Sequence, residues 1–514
     1  MRVLTAAQSR ALDRMAIADL GLSPLVLMEN AALGVVEALL ERWPAARRVA
    51  VFCGPGNNGG DGLAVARQLA TRGLEPIVFL AAFGRPLADD CRAQLEIVRR
   101  QGLPVEELEE SDLAEIGGLA RGVDLLVDAL FGTGLARPLA PPFDALVSAL
   151  DLLPLPRLAI DLPSGLDASR AEPPGVALRA DLTVTFVAPK VAQVLEPAAE
   201  WVGELAVADL GVLLETEVER PALELIDAEL AASWIAPRAR GAHKGDFGHA
   251  LLVAGSFART GAAILAARAA VRAGAGLVTV ALPRSAAGTL VAGSPEAMTV
   301  PLAENAAGEA TAAARATIVA ALAGKTALAI GPGVGTGSES SELIRAVALA
   351  CEIPLLIDAD GLTAFAGRAA ELAARRAPTV LTPHPGELAR LLAIDRSEIA
   401  ADRLAATRRA AATTGAVVLL KGRRTVIAEP GGDAAVNPTG TPAMATGGSG
   451  DVLTGVVVAL LAQGVDPFVA ACLGAYWHGL AGELAEEDLG GPAVPAATLA
   501  DFLPRAFRRL AARE

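Results

Sequence analysis

Short, wholly apolar runs closed by glycine, aspartate or proline recur along the whole chain, and alanine-rich stretches of helical length separate them. In the first half they are "RVAVFCG", "PIVFLAA", "VDLLVDAL", "RLAIDLP" and "DLTVTFVAP". In the second they are "HALLVAGS", "LVTVALP", "TALAIGPGVG", "PLLIDAD", "TVLTPHPGE" and "AVVLLKG". A strand with one wet face alternates apolar and polar residues, whereas a run apolar at every position is buried on both faces. Parallel sheets covered by helices on both sides meet that demand, so the pattern predicts α/β folding throughout, with a doubly wound sheet in the first half. At 514 residues the chain is longer than one core usually serves, and two domains are expected. The break lies between about 212 and 245, where "LETEVERPALELID" and "APRARGAHKG" interrupt the periodicity and read as a linker.

Charge and cysteine use exclude several classes. A net charge of -14 opposes a phosphate-backbone partner, so no nucleic acid is expected. No amino-terminal apolar core or long uncharged apolar stretch appears, so neither a leader nor a membrane span is expected. Cys53, Cys91, Cys351 and Cys472 are far apart and show no C-x-x-C spacing, which argues against zinc and disulfides and fits a reducing cytoplasm. Only four of the 44 basic residues are lysine: Lys190, Lys244, Lys325 and Lys421. Where arginine serves nearly every solvated position, a retained lysine can mark a place that needs a compact ammonium.

Three glycine-rich loops carry the chemistry of the first half. "GPGNNGGDG", residues 54–62, joins a predicted strand to a helix, and its glycines would let backbone N–H groups approach an anion at the helix start. The pair Asn57 and Asn58 adds neutral oxygens suited to a ligand hydroxyl or a weakly held hard cation. "DALFGTGLARP" and "DLPSGLD" leave other strand ends, so Asn58, Asp128, Asp161 and Ser164 could meet in one crevice; as isolated residues the aspartates read equally well as helix caps.

The second half holds "NPTGTPAMATGGSGDVLTG", residues 437–455, with a Gly-Ser-Gly-Asp turn at the start of a long apolar helix. Amides at Gly448, Ser449 and Gly450 could cradle phosphate while Asp451 sits beside the transferred group. "KGRRT", residues 421–425, could grip nucleotide phosphates through Lys421. "AGKT" only mimics a phosphate loop, because Val319 stands where its first glycine belongs and a strand is predicted after Thr326. His384, between two prolines at a strand end, points into the crevice, whereas His243, His249 and His478 read as linker, strand-edge and core residues.

Taken together, "GPGNNGGDG", "DALFGTGL", "DLPSGLD" and "VAPK" resemble the epimerase domain of bifunctional NAD(P)H-hydrate repair enzymes over about residues 1–215. Likewise "KGDFG", "RAGAGLV", "GPGVG", "TPHPGE", "KGRRT" and "NPTGTPAMATGGSGD" resemble their ADP-dependent dehydratase domain over about 230–510. The resemblance implies a Rossmann-like domain followed by a ribokinase-like one. It implies epimerisation of (R)- and (S)-NAD(P)HX at C6, then dehydration of the S epimer to NAD(P)H with ADP converted to AMP and phosphate.

By that resemblance Asn58, Asp128 and Ser164 hold potassium. The hydrate contacts Asn57, Asn58, Gly59, Gly60, Asp61, Gly132, Thr133, Gly134, Leu135, Ala136, Arg137, Pro138 and Asp161. Epimerisation at C6 needs only a positioned carboxylate to shuttle a proton, for which Asp161 is the candidate, with Lys190, one of the four retained lysines, as a second. In the dehydratase, Ala275, Gly333, His384 and Asp451 contact the substrate, Asp451 being the base. Lys421, Gly422, Arg423, Arg424, Thr425 and Gly450 contact the nucleotide, with Mg²⁺ as companion ion. A cytoplasmic homo-oligomer is expected. The rivals are an ATP-dependent small-molecule kinase, since a Gly-Ser-Gly-Asp turn is shared across ribokinase-like folds, and a first half that is a ligand-binding or interaction module without activity.

Overall fold

Each quoted apolar run forms a strand in the computed structural model, which describes residues 1–119, 121–212 and 222–512. The chain divides into two compact units, Met1–Glu219 and Arg220–Glu514. The expected domain boundary at 215 falls outside the described residues. Within the stretch read as a linker, Leu223–Leu225 is a strand of the second unit's sheet, paired in parallel with Ala434–Asn437. Three residues are too few to show periodicity, so this element was illegible in the sequence.

In the first unit β1 (Arg48–Cys53), β2 (Glu75–Leu80), β3 (Val105–Glu107), β4 (Leu125–Ala129), β5 (Arg157–Ile160), β6 (Leu182–Phe186) and β7 (Glu204–Ala208) form one parallel sheet in the order β3-β2-β1-β4-β5-β6-β7. Val49, Val51 and Cys53 of β1 feed the core on one face, and Ala50 and Phe52 the core on the other. Two covered faces explain why the run is apolar at every position. The edge strands β3 and β7 are half-exposed and mixed in character, and they escaped the pattern for that reason. Strand order reverses between β1 and β4, so the loops leaving those two strands splay apart and open a crevice.

The second unit repeats the device. Leu223–Leu225 is β8, followed by β9 (His249–Val253), β10 (Leu277–Pro283), β11 (Met298–Leu302), β12 (Ala327–Ile330), β13 (Leu355–Ile357), β14 (Thr379–Leu381), β15 (Val417–Leu420), β16 (Thr425–Ala428) and β17 (Ala434–Asn437). Their order is β8-β17-β16-β15-β14-β13-β12-β9-β10-β11, with the reversal between β9 and β12. Strands β9 to β15 run parallel, while β15, β16 and β17 form antiparallel neighbours. Helix Ser449–Ala462 is apolar nearly all round because it is buried between the sheet and helices Thr260–Arg272 and Pro467–Leu489.

Candidate active sites

In the first unit a cavity of about 430 Å³ opens at the carboxyl ends of β1, β4, β5 and β6. Asn57, Asn58 and Asp61 reach it from the first turns of helix Asn57–Thr71. Gly132, Thr133, Gly134 and Leu135 line it from the loop after β4, and Asp161 and Lys190 from those after β5 and β6. Asp161 takes a left-handed backbone, φ 63°, an uncommon conformation for a side-chain-bearing residue and one found often at functional sites. Its carboxylate accepts a hydrogen bond from the Thr133 N–H at 3.1 Å and from the Thr185 hydroxyl at 3.2 Å. The Lys190 ammonium, 1% exposed, lies 2.9 Å from Asp161 Oδ1 and donates to the Thr185 hydroxyl at 2.7 Å and the Phe186 carbonyl at 3.0 Å. The lysine that composition singled out is thus part of the cavity wall.

Two more carboxyls face this cavity. Burial, then the charges of Asp161 and Asp13, push Asp61 well above the usual carboxylate range. Asp13, on helix Ala6–Ala18, is also raised, by confinement and then by Asp161. No motif marks Asp13, which comes to the site from far along the chain. Beneath the cavity Asp128 is fully buried, accepting from the Ser164 hydroxyl at 2.7 Å, the Ser164 N–H at 2.8 Å and the Leu130 N–H at 3.1 Å. Burial still lifts it to about 6, against those hydrogen bonds. The Asn58 Nδ2 is buried without a hydrogen-bond partner.

The glycines of the first loop act differently from the sequence expectation. None of Gly54, Gly56, Gly59, Gly60 and Gly62 has a positive φ, so handedness does not require them. Gly59 and Gly60 do not line the cavity. A Cβ at Gly54 would overlap the Leu130 carbonyl, and one at Gly59 the Gly54 carbonyl. They let the helix start sit directly on β1 and β4. Gly59→Ala is accordingly expected to destabilise the first unit by about 1–3 kcal/mol, the usual scale for overpacking. An unchanged denaturation midpoint would contradict this. Ala136, Arg137 and Pro138 also lie outside the cavity lining, further along their loop.

In the second unit a larger cavity, about 860 Å³, is walled by Lys421, Gly422, Arg423, Arg424 and Thr425, by the segment from Asn437 to Thr441, and by Ser449, Gly450 and His478. Lys421 to Arg424 join β15 to β16 as a tight antiparallel turn, and Thr425 opens β16. Gly448, with φ 95°, caps helix Ser449–Ala462, and no side chain caps the helix's first N–H groups. Asp451 sits in the first turn. Burial, then the negative charge of Asp358, raise it to about 7, with Lys421 opposing and Asp360 adding. Burial alone would lower Lys421, but Asp358 and Glu387 outweigh it and hold the ammonium above its ordinary value.

His384 caps helix Pro385–Leu392, its Nδ1 accepting from the N–H groups of Gly386 and Glu387 at 3.0 and 3.3 Å. Burial lowers its pKa, so the ring is neutral and Nε2 carries the proton, 3.4 Å from Glu387 Oε1. Gly333, with φ 64°, lies in the loop after β12. Ala275 is a correction. It precedes β10 and packs with the core at the amino ends of the strands, the opposite edge of the sheet from the other candidates. Ala262, in the first turn of helix Thr260–Arg272, is the alanine beside Gly333: a Cβ added at Gly333 would be 3.0 Å from that of Ala262. One Ala-Gly segment looks much like another in a chain this rich in both.

His478, expected to be a core residue, is buried but also lines the nucleotide-sized cavity, its Nε2 3.0 Å from the Ser449 carbonyl. Burial takes it down to about 4, so it is neutral. "AGKT" is no phosphate loop, since Thr326 leads directly into β12. Among the described residues no three histidine, cysteine or acidic side chains are grouped to hold a metal ion, and no helix is long and apolar enough to cross a membrane.

Residues 24–192 match the family of YjeF-related protein N-termini, and residues 250–505 the NAD(P)H-hydrate dehydratase family. The bifunctional NAD(P)H-hydrate repair enzyme Nnr of Moorella thermoacetica is 42% identical over 522 residues, covering 99% of this chain and 97% of that one. Its Escherichia coli counterpart of the same name is 33% identical, covering 96% and 91%. The Bacillus subtilis ADP/ATP-dependent NAD(P)H-hydrate dehydratase, co-crystallised with ATP and Mg²⁺, is 32% identical with a TM-score of 0.48, covering 56% of this chain and 98% of that one.

Proposed function

The chain belongs to the bifunctional NAD(P)H-hydrate repair enzymes, and from that premise we propose that its first unit interconverts the C6 epimers of NADHX and NADPHX while its second dehydrates the S epimer at the expense of ADP. The observation that carries the reading is Asp451, a carboxyl lifted to about 7 at a glycine-started helix and facing Lys421.

C6 of the hydrate bears a hydroxyl beside the ring nitrogen. Cleavage of a bond to C6 leaves a planar centre that can close from either face, and Asp161, paired with Lys190, moves the proton. Asn57, Asn58, Asp61 and the loop Gly132–Leu135 orient the ring. Asp128, Ser164 and Asn58 fit potassium as oxygen donors: a half-turn of the unpartnered Asn58 amide exchanges its nitrogen for its oxygen and gives the side chain a ligating role. Bound there, the ion would supply fixed positive charge near the hydrate.

In the second unit Asp451 accepts the proton of the C6 hydroxyl, the β-phosphoryl group of ADP passes to that oxygen with AMP as leaving group, the ring nitrogen then expels phosphate to give an iminium at C6, and loss of a proton from C5 to solvent forms the C5–C6 double bond of the reduced nicotinamide. Lys421, the turn through Thr425 and the amide of Gly450 hold the nucleotide, while Gly333 and His384 face the hydrate. Mg²⁺ would neutralise charge on the phosphates; with no dedicated protein cage among the described residues, phosphate oxygens and water fit it best. The reading also takes the enzyme to be a cytoplasmic homo-oligomer, and light scattering on the purified chain tests its oligomeric state.

The decisive experiment gives the protein mixed NADHX epimers with and without ADP and Mg²⁺ and follows the near-ultraviolet absorbance of the dihydropyridine. Recovery should require the nucleotide and run past the S fraction. Recovery stopping at that fraction would remove the epimerase, and a stable phosphorylated product without NADH would establish the kinase rival. Because Asp451 accepts protons only when ionised, the dehydration rate should rise with pH to a plateau above about 7. A rate flat across neutrality would remove Asp451 as the base.

A further inference from the structure

Asp358 reads in the sequence only as the end of a strand, within "PLLIDAD". In the fold it is 1% exposed at the carboxyl end of β13, and both its oxygens are engaged. Oδ1 accepts from the Lys421 ammonium at 2.7 Å and Oδ2 from the Thr454 hydroxyl at 2.7 Å. Thr454 is one helical turn beyond Asp451 on helix Ser449–Ala462, so the two side chains share a face. The gap is closely filled: a Cβ at Gly450 would be 3.5 Å from Lys421 Nζ and 3.9 Å from Asp358 Oδ2. Asp358 does not line the nucleotide cavity, although Lys421 does. The next residue, Ala359, has φ 50°, and beyond this left-handed turn Asp360 accepts from the Gly335 N–H at 3.0 Å.

We propose that Asp358 is a positioning residue for phosphoryl transfer, its buried carboxylate fastening the nucleotide-gripping turn at Lys421 to the helix that carries Asp451 and setting the charge balance in which Asp451 works. The proposal rests on the roles given above to Asp451 and Lys421.

The ionisable groups around Asp451 are few. Asp358 and Asp360 face it from the loop after β13, and Lys421 from the turn after β15. Glu387 stands behind Lys421 at 3.7 Å, and neutral His478 lies beside Ser449. Helix Thr260–Arg272 presents apolar Leu265 at the Gly448 cap. With Asp358 ionised, its charge opposes ionisation of Asp451 and offsets much of the Lys421 charge. Asp358→Asn keeps the shape and one acceptor for Lys421 but removes that charge, leaving Lys421 to favour ionised Asp451.

The test is the pH dependence of ADP-dependent NADH recovery from pure S epimer, for the full chain and for Asp358→Asn, with a thermal melt to check folding. The acidic limb should move down by about one pH unit or more, the usual effect of losing a nearby like charge, and the plateau kcat should fall at least about 10-fold as the Lys421 anchor loses its charge. A folded variant with the limb unmoved, even at reduced kcat, would make Asp358 merely structural and overturn the proposal. Asp451→Asn run alongside separates this from failure of the base assignment, since that variant must fall by at least about 10²-fold at every pH if the assignment holds. Should Asp358→Asn not fold, Thr454→Val decides: a several-fold rise in the KM for ADP without a pH shift supports the fastening, and unchanged KM and kcat overturn it.

Discussion

Replacing Asp451 by asparagine is expected to lower ADP-dependent recovery of NADH by at least about 10²-fold, the scale on which a positioned base acts, while interconversion of the epimers proceeds at the wild-type rate. Asparagine has the same outline, so the first turn of helix Ser449–Ala462 and its Gly448 cap are preserved. What is lost is the one carboxyl there whose raised pKa, about 7, lets it take a proton near neutrality. The same variant carries a stability signature. A carboxyl raised from its ordinary value near 3.8 to about 7 costs stability as it ionises, a cost absent at acid pH and complete above about 7. Asp451→Asn should therefore melt higher than wild type above neutrality and alike in acid, a trade of stability for function common at active sites. Epimer-resolved chromatography reports the two activities separately. Undiminished NADH formation by the variant would end the proposal for the second unit.

What the sequence revealed follows from how each residue meets its environment. Strand ends were legible because two-sided burial leaves an uninterrupted apolar run, as in β1 and β12, and the loops after such runs point to the crevice. The turn from Lys421 to Thr425 and the start of helix Ser449–Ala462, which both wall the second unit's cavity, were legible because each sets glycine next to charged or hydroxyl residues at the end of an apolar run or the start of an apolar helix. Groups acting through buried contacts were not. Asp358 looks like any aspartate after a strand, Asp13 lies on an ordinary amphipathic helix, and His478 sits in a helix whose other residues are mostly core. Only the tertiary fold brings Asp358 to Lys421 across 63 positions of chain. The glycines at 54 and 59 stand out in the sequence as a backbone device. What they supply is close approach of backbone to backbone, with no positive φ.

Asp161→Asn should abolish most epimerisation, by at least about 10²-fold, yet leave dehydration of pure S epimer intact, so that recovery from a mixture stops at the S fraction. Asparagine is the appropriate replacement because position 161 has φ 63°, a conformation asparagine tolerates better than most residues, and its oxygen can still accept from the Thr133 N–H. Lys190→Met poses a harder question. It leaves the Asp161 carboxylate, only 8% exposed, without its ammonium partner, and breaking such a pair typically costs about 3–5 kcal/mol. Epimerisation would fall along with the denaturation midpoint, and neither loss alone would say which role Lys190 plays. The double variant Asp161→Asn/Lys190→Met resolves it. Joining two neutral groups should restore much of the stability lost in Lys190→Met while leaving epimerisation as low as in Asp161→Asn. Were epimerisation to return with stability, the pair would serve the fold alone, and the proton would have to move through Asp61 or Asp13, the carboxyls held protonated most readily in the same cavity.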